Sequence, residues 1–312
     1  MRKLIFLCSI GFSLLVSAQN FKIIPLGVRG GADESNLSSY LISDAQEDQY
    51  LALDAGTLYS GIKFYLNKQN SSQNPNQFLK EKIKGYFISH PHFDHSSGLI
   101  INSPEDSKKK IYGSEFTLGA FKKHVFVWDT WANFTNEGEK PTLGTYTYQL
   151  AKPGEDFNID NTNLSAKLFD LSHVGNAKSS AILVKNSKDA YFLYLGDTGA
   201  DRIEKSSSIE DLWKSVAPLI KNNQLKGIAI ECSYANAQPD EKLFGHLKPS
   251  LIIEEVKKLE NIVGRKKLQN VQFIITHIKY KEGIEQKILE ELAPLTKEYK
   301  IKIAQQGELI EL

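Results

Sequence analysis

The stretch HPHFDH at residues 90–95 places three imidazoles and one carboxylate within six residues, directly after an apolar run at 83–89 that predicts a buried strand. His90 and His92 lie two residues apart, so in an extended backbone both side chains project to the same side and can share one metal ion. Asp94 and His95 follow where the chain leaves the strand, within reach of a second metal ion, and residues 96–98 allow a tight turn. Taken singly, each histidine could be an ordinary surface or core residue, and Asp94 a helix cap.

Three more metal-capable residues follow later apolar runs. His173 follows the alternating run at 166–171, Asp197 follows residues 190–195, and His277 follows residues 271–276. A site at the end of a sheet collects residues that are distant in sequence. The recurrence of one local pattern therefore predicts a shared metal centre, although any one of these residues could be structural.

These residues resemble the metallo-β-lactamase superfamily through the His-x-His-x-Asp-His motif at 90–95, His173, Asp197 within Gly-Asp-Thr-Gly, and His277. The resemblance covers nearly the whole mature chain and includes LDAGT at 53–57, which looks like the early strand and turn of that fold. Residues 90–104 are also similar to the signature of class II cyclic-nucleotide phosphodiesterases. Phe93 stands where the signature usually has Leu, and Ser96 and Ser97 also sit differently. The resemblance implies an α/β fold, a four-layer αβ/βα sandwich.

The resemblance also implies a cofactor and a reaction. Two zinc ions would be held, one by His90, His92 and His173 and the other by Asp94, His95 and His277, with Asp197 bridging them; manganese or iron are alternatives to zinc. A hydroxide bridging the metals would attack the cyclic phosphodiester of cAMP or cGMP and release a nucleoside 5′-monophosphate. Asp94 would also orient that hydroxide.

His246, in Gly-His-Leu-Lys-Pro before a predicted helix, resembles a late histidine that related phosphodiester-cleaving enzymes keep beside the metals. Glu231 stands in the position of its acidic partner. Such a histidine would contact the phosphate and protonate the leaving oxygen, because its pKa suits proton transfer near neutral pH. The alternative is a histidine at a helix start that faces water.

The first 18 residues have the pattern of a signal peptide: Arg2 and Lys3, an apolar stretch at 4–16, and a small-residue cleavage site at 16–18. The stretch is short for a bilayer span, which predicts an exported protein, periplasmic or secreted, without stable membrane insertion after cleavage. Removal of residues 1–18 leaves 36 of the 38 basic residues against 37 acidic ones, so no charge signature for nucleic acid remains. It also leaves Cys232 as the only thiol, which excludes an internal disulfide.

Residues 19–312 are predicted to form a single hydrolase domain. Strands are expected at 21–27, 37–42, 50–54 and 227–231, a polar surface loop at 67–77, and helices at 208–221 and 250–267. Pro218 is expected to kink or stop the first of these two helices.

The segment 116–148 does not follow this pattern of strands and helices and contains interleaved aromatic and basic residues, among them His124, Trp128 and Trp131. It is expected to be a helical hairpin that packs on the core or on a second subunit, as in a homodimer. The alternative, if the family resemblance holds, is a wall that faces the purine of the substrate. His124 is assigned a structural role.

Other functions use the same metal site. A nuclease that processes the 3′ end of tRNA has a similar late histidine, but an exported chain of near-zero net charge is poorly suited to hold tRNA. A lactonase, a sulfatase or another small-ester hydrolase would differ only in its pocket. A non-catalytic binding module is the remaining alternative, although such a relative would be expected to have lost some of the seven metal ligands.

Overall fold

Successive residues along the strands face two different cores. Ile23 and Ile42 point into one apolar cluster, whereas the adjacent Ile24 and Leu41 point into another. Strands with both faces buried must be covered on both sides. The computed structural model describes residues 19–175 and 177–312, and in it two β-sheets pack face to face with helices on their outer faces.

Each large sheet has seven strands. The first has the order β16-β1-β3-β4-β5-β6-β7, the second the order β15-β13-β12-β11-β10-β9-β8, and β14 and β2 pair separately. The strands are β1 Phe21–Gly27, β2 Arg29–Gly30, β3 Ser39–Asp44, β4 Tyr50–Leu53, β5 Ile83–Phe87, β6 Lys109–Gly113, β7 Tyr146–Leu150, β8 Asp156–Asn158, β9 Ser165–Ser172, β10 Lys178–Lys185, β11 Tyr191–Tyr194, β12 Leu225–Glu231, β13 Gln272–Thr276, β14 Ile278–Lys279, β15 Lys300–Ile303 and β16 Ile310–Glu311.

The helices cover the outer faces of the sheets. They are α1 Tyr59–Lys68, α2 Pro75–Lys82, α3 Phe93–Asn102, α4 Glu115–Ala120, α5 Asp201–Glu204, α6 Ser208–Lys221, α7 Pro249–Val263, α8 Arg265–Leu268, α9 Ile284–Glu291 and α10 Ala293–Thr296, with a π-helical turn at Phe121–Val125. Side chains of α1 to α4 join the core on the first sheet, and those of α6, α7 and α9 join the core on the second. This confirms the expected four-layer αβ/βα sandwich. No helix in the described ranges is both long and apolar enough to cross a bilayer.

The turn expected at residues 96–98 is absent, because these residues lie inside α3. The helix continues since it packs tightly on the loop after β4. Gly98 donates its N–H to the carbonyl of Gly56 at 2.9 Å, and a Cβ on Gly98 would lie only 2.7 Å from the carbonyl oxygen of Ala55. The glycine thus permits a close approach rather than a turn.

Two other expectations about helices were wrong, and a third was wrong in part. Residues 75–77 are not loop but the first turn of α2, which Asn74 caps by accepting from the N–H groups of Asn76 and Gln77. The predicted helix at 250–267 is split into α7 and α8 at Gly264, whose φ is 87°. Of the two effects expected at Pro218, the stop is absent: helix α6 runs to Lys221, since one whole face of α6 is buried in the core and burial offsets the lost hydrogen bond.

The segment 116–148 is not a helical hairpin. After α4 and the π-helical turn it continues without regular structure to β7. Its aromatic residues mostly pack on the first sheet, with Phe126, Tyr146 and Tyr148 buried and Trp131 partly buried. Lys122 pairs with Glu137, and its Nζ lies 5.3 Å from the centroid of the Tyr148 ring. The segment is therefore largely part of the core. The predicted signal peptide lies outside the described residues.

Candidate metal centre

The seven predicted ligands meet at one end of the two sheets. The loop after β5 carries His90 and His92, the first turn of α3 carries Asp94 and His95, and the residues that follow β9, β11 and β13 are His173, Asp197 and His277. Strand β5 ends at Phe87, two residues before the end of the predicted run 83–89, and the backbone of His92 is extended, with φ −61° and ψ 148°. The ring centroids of His90 and His92 are 4.5 Å apart.

The ligand atoms form two clusters around one carboxylate. His90, His92 and His173 have ligand atoms within 4.8 Å of one another, and so do Asp94, His95 and His277. Asp197 lies between the clusters: its Oδ2 is 3.1 Å from Nε2 of His95, 3.2 Å from Nε2 of His277 and 3.7 Å from Nε2 of His90. The same spacing also groups His90, His95 and Asp197; His173, Asp197 and His246; and Glu231, His246 and His277. The ligand atoms therefore form one continuous set that contains the two triads implied by the family resemblance.

Four of the imidazoles are held through Nδ1 by a neighbouring protein group. The distances are 3.1 Å from His90 to Ser89 Oγ, 2.7 Å from His95 to Asp54 Oδ2, 2.9 Å from His173 to the carbonyl of Gly245, and 2.9 Å from His277 to Ser233 Oγ. Such contacts fix the ring orientation and leave Nε2 as the atom for a metal. They are the usual outer contacts of a metal site.

Several buried polar atoms of this centre have no hydrogen-bond partner in the described protein. They are Nε2 of His90, Nε2 of His95 and Oδ1 of Asp197. Buried polar groups without partners are rare and costly, so each calls for an explanation. Nitrogen donors around a shared carboxylate suit a divalent cation, which would satisfy all three atoms. The residues present therefore fit divalent metal binding.

Asp54 is the residue of the site that sequence reasoning missed. It is fully buried at the end of β4 with φ 56°. Its Oδ2 accepts from Tyr194 OH at 2.7 Å and from Ser89 Oγ at 2.8 Å, and contacts His95, while its Oδ1 accepts from the N–H of Ser89. The available signal is an aspartate between an apolar strand and a glycine, LDAGT, a pattern that indicates only a strand followed by a turn.

Two glycines let the backbone approach the imidazoles. A Cβ on Gly30 would lie 2.3 Å from Cε1 of His277, and one on Gly245 would lie 2.8 Å from Nδ1 of His173. Contacts that short do not occur, so each glycine is required by the position of a neighbouring ring. His277 itself has φ 56°, which turns the chain sharply between β13 and β14.

The charges at the centre suit metal binding. Burial lowers the pKa of His90 well below its usual value and lowers the pKa of His173 to about 4. Burial alone would raise the pKa of Asp197, but the charges of His277 and His95 hold it well below the ordinary aspartate value. Neutral imidazoles, as at His90 and His173, and an ionised carboxylate, as at Asp197, are the forms that bind a cation. His95 differs: burial would lower its pKa, but the charges of Asp197 and Asp54 outweigh burial and raise it well above the usual value.

His246 and Glu231 lie together at the edge of the centre. Nδ1 of His246 is 2.8 Å from Oε1 of Glu231 and 3.7 Å from Oδ2 of Asp197. Burial lowers the pKa of His246, but the charge of Glu231 outweighs it and the net shift is upward. Glu231 is fully buried and also accepts from both the N–H and the hydroxyl of Ser233. Glu231 thus positions His246, and the pair does not face open water.

The fold and the ligand clusters together define a protein of the metallo-β-lactamase fold with a divalent metal centre. One structural neighbour is the metallo-β-lactamase fold protein YhfI from Bacillus subtilis, with a TM-score of 0.63, 16% identity and coverage of 94% of this chain and 100% of the other. Similarity at that level of identity concerns the fold alone.

Residues 19–307 match the family model of class-II cAMP phosphodiesterases, and the chain belongs to this family. A probable 3′,5′-cyclic-nucleotide phosphodiesterase of Yersinia pestis is 38% identical over 91% of this chain and 87% of its own. A 3′,5′-cyclic-nucleotide phosphodiesterase of Aliivibrio fischeri is 38% identical over 88% and 86%. The crystal structure of unliganded yeast PDE1 superimposes with a TM-score of 0.83 at 25% identity, covering 94% of this chain and all of that one.

Proposed function

We propose that this protein hydrolyses the 3′,5′-phosphodiester of cAMP, cGMP or both to nucleoside 5′-monophosphates. The observation that carries the proposal is the pair of ligand clusters on either side of Asp197 in a chain of the class-II family. Relatives with 38% identity are named as 3′,5′-cyclic-nucleotide phosphodiesterases.

The seven ligand residues would hold two metal ions. His90, His92 and His173 form one set, Asp94, His95 and His277 form the other, and Asp197 belongs to both. Zinc suits this imidazole-rich set, and manganese or iron are alternatives. When bound, such ions lower the pKa of water and offset the charge that develops on the phosphoryl oxygens.

The protein's own groups perform the remaining steps. Glu231 keeps His246 oriented through Nδ1, which leaves Nε2 to contact the phosphate and to donate a proton to the 3′ oxygen as its bond to phosphorus breaks. Asp94 accepts from the N–H of Gly31 at 3.1 Å, and this contact directs its carboxylate toward His277 and the centre. From there Asp94 can orient the attacking water.

We also propose that the protein is exported, on the basis of the basic, apolar and small-residue pattern of residues 1–18. Mass spectrometry of the protein recovered from the periplasm or the medium should show a chain that begins near residue 19. We further propose a homodimer that forms through the 116–148 segment. Sedimentation velocity on the mature chain would measure whether it is a monomer or a dimer.

The activity test uses the mature chain loaded with zinc or manganese. Initial rates are measured with cAMP, cGMP and bis-p-nitrophenyl phosphate, and products are separated by chromatography. The proposal predicts a nucleoside 5′-monophosphate at rates far above cleavage of the generic diester. Cleavage of the generic diester with both cyclic nucleotides intact would favour another hydrolase of this fold, and a chain that binds no metal would favour a non-catalytic binding module.

A further inference from the structure

A cavity of about 380 Å³ is lined by residues that contact His246 and His277. Its wall includes Ser233, whose hydroxyl contacts Nδ1 of His277. It also includes Tyr234, whose ring centroid is 6.0 Å from that of His246. One side chain, Ser233 or Tyr234, thus separates the cavity from His277 and from His246. Its volume lies within the usual range for small-molecule pockets.

Lys279 brings a positive charge to this cavity. Strand β14 fixes its backbone, and its N–H donates to the carbonyl of Ser233 at 3.2 Å. The side chain is half-buried, with Nζ 5.8 Å from the centroid of the Tyr234 ring, and no carboxylate lies within ion-pair distance in the part of the chain that the structure describes. A partly desolvated ammonium without an acidic partner favours an anionic ligand.

Tyr280 forms the outer part of the wall. Its side chain is 67% exposed, and it also lines a second cavity with Ala32, Asp33 and Glu34. The guanidinium of Arg29 lies 5.9 Å from the ring centroid and is itself paired with Glu285. A salt-bridged arginine thus lies within cation–π distance of one side of the ring.

We propose that this cavity binds the nucleoside part of the substrate, with the purine base against the rings of Tyr234 and Tyr280 and the ammonium of Lys279 facing the phosphodiester. The inference rests on the proposed function, because it takes the phosphate to be held at the metal centre beside His246. A nucleotide needs both an aromatic surface and a compensating positive charge. This cavity supplies both within one wall.

A larger cavity of about 530 Å³ differs from this one in the charges of its lining residues. It is lined by Phe116, at the start of the aromatic segment, together with Lys152 and Lys178, but also by Glu115 and Asp170. The acidic and basic residues on its wall balance. The lining of the Tyr234 cavity contains Lys279 and Lys281 and no acidic residue, so an anionic nucleotide is favoured there.

The test compares substrates with and without a base. The substrates are cAMP and methyl ribofuranoside 3′,5′-cyclic phosphate, which keeps the reacting diester and lacks the purine. Tyr280→Leu should raise KM for cAMP about tenfold, since loss of one stacking surface has roughly that effect, and should leave kcat/KM for the base-free diester unchanged. Tyr234→Phe should retain the wild-type KM for cAMP, whereas Tyr234→Leu should raise it. Lys279→Met should raise KM for both substrates.

The matched control is Phe116→Leu, which removes an exposed aromatic ring from the other cavity and should leave both substrates unaffected. Equilibrium binding of adenosine 5′-monophosphate, measured by calorimetry, should weaken in Tyr280→Leu and not in Phe116→Leu. The inference is overturned if wild-type protein cleaves cAMP while Tyr280→Leu and Tyr234→Leu both keep the wild-type KM for cAMP. It is also overturned if Phe116→Leu is the only one of these variants that raises the KM for cAMP. If wild-type protein cleaves neither cyclic nucleotide, the proposed function fails together with this subsite.

Discussion

Replacing Asp54 with Asn tests whether a residue that touches no metal controls metal affinity. The Asp54 carboxylate accepts four contacts: the N–H and the hydroxyl of Ser89, the hydroxyl of Tyr194 and Nδ1 of His95. An amide has one acceptor oxygen and one donor nitrogen, so at least one of these donors loses its acceptor in the variant. With the NH₂ group against His95, the ring would take its proton on Nε2 and lose that atom as a ligand.

The expected losses of stability and of metal affinity follow from these contacts. A buried donor left without an acceptor costs about 1–3 kcal/mol, so metal-free Asp54→Asn should be destabilised by that amount. Loss of the partner that orients a ligand typically lowers metal affinity 10- to 100-fold, or about 1.4–2.7 kcal/mol. Competition with a chromophoric chelator measures the affinity, and urea denaturation of the metal-free protein measures the stability.

Asp44→Asn is the matched control. Asp44 is also buried and accepts from Ser187 and Gln46, but it lies at the far end of β3, roughly 16 Å along the strand from the site. This variant should lose stability and keep its metal affinity. Wild-type metal affinity in Asp54→Asn, or an equal loss of affinity in both variants, would refute the role assigned to Asp54.

Four further predictions concern the centre itself. Asp197→Ala should lose both metal ions and all activity, which metal analysis of the purified protein would check; two bound ions would contradict a bridging role. His246→Gln should keep its metals and lose about 10²-fold or more in kcat, and an unchanged kcat would remove His246 from the mechanism. Gly30→Ala should displace His277 and weaken metal binding, detectable by chelator competition. Chelation should lower the melting temperature of wild-type protein, because a ligand that binds only the folded state stabilises it, and re-addition of zinc should restore it.

His90, His173, Asp197 and His277 could be predicted because each lies within three residues of the end of an apolar strand. His173, Asp197 and His277 come one to three residues after β9, β11 and β13, and strands of one sheet that run in the same direction deliver such residues to a common edge. Local pattern alone was therefore sufficient for these positions. The same holds for the strands themselves, whose apolar runs match the observed bounds closely.

Contacts between distant segments could not be predicted in the same way. Asp54 reaches His95 across 41 residues, and Ser233 reaches His277 across 44. Neither contact can be recognised from a sequence pattern, since a serine or an aspartate near a strand end is usually a cap or a turn residue. Only the packing of the loops at the ends of the strands brings these groups within hydrogen-bond distance.

The sequence by itself determined the seven candidate ligands, because these depend on residue type and on spacing relative to strands. Its resemblance to a known family implied the class of fold and the pairing of His246 with Glu231. Tertiary structure alone decided the continuation of α6 through Pro218, the continuation of α3 through Gly98 and the burial of most aromatic residues of the 116–148 segment. In each case burial against another element outweighs local propensity. The cavity beside Tyr234 and Lys279 likewise exists only because β14 aligns with the loop after β12.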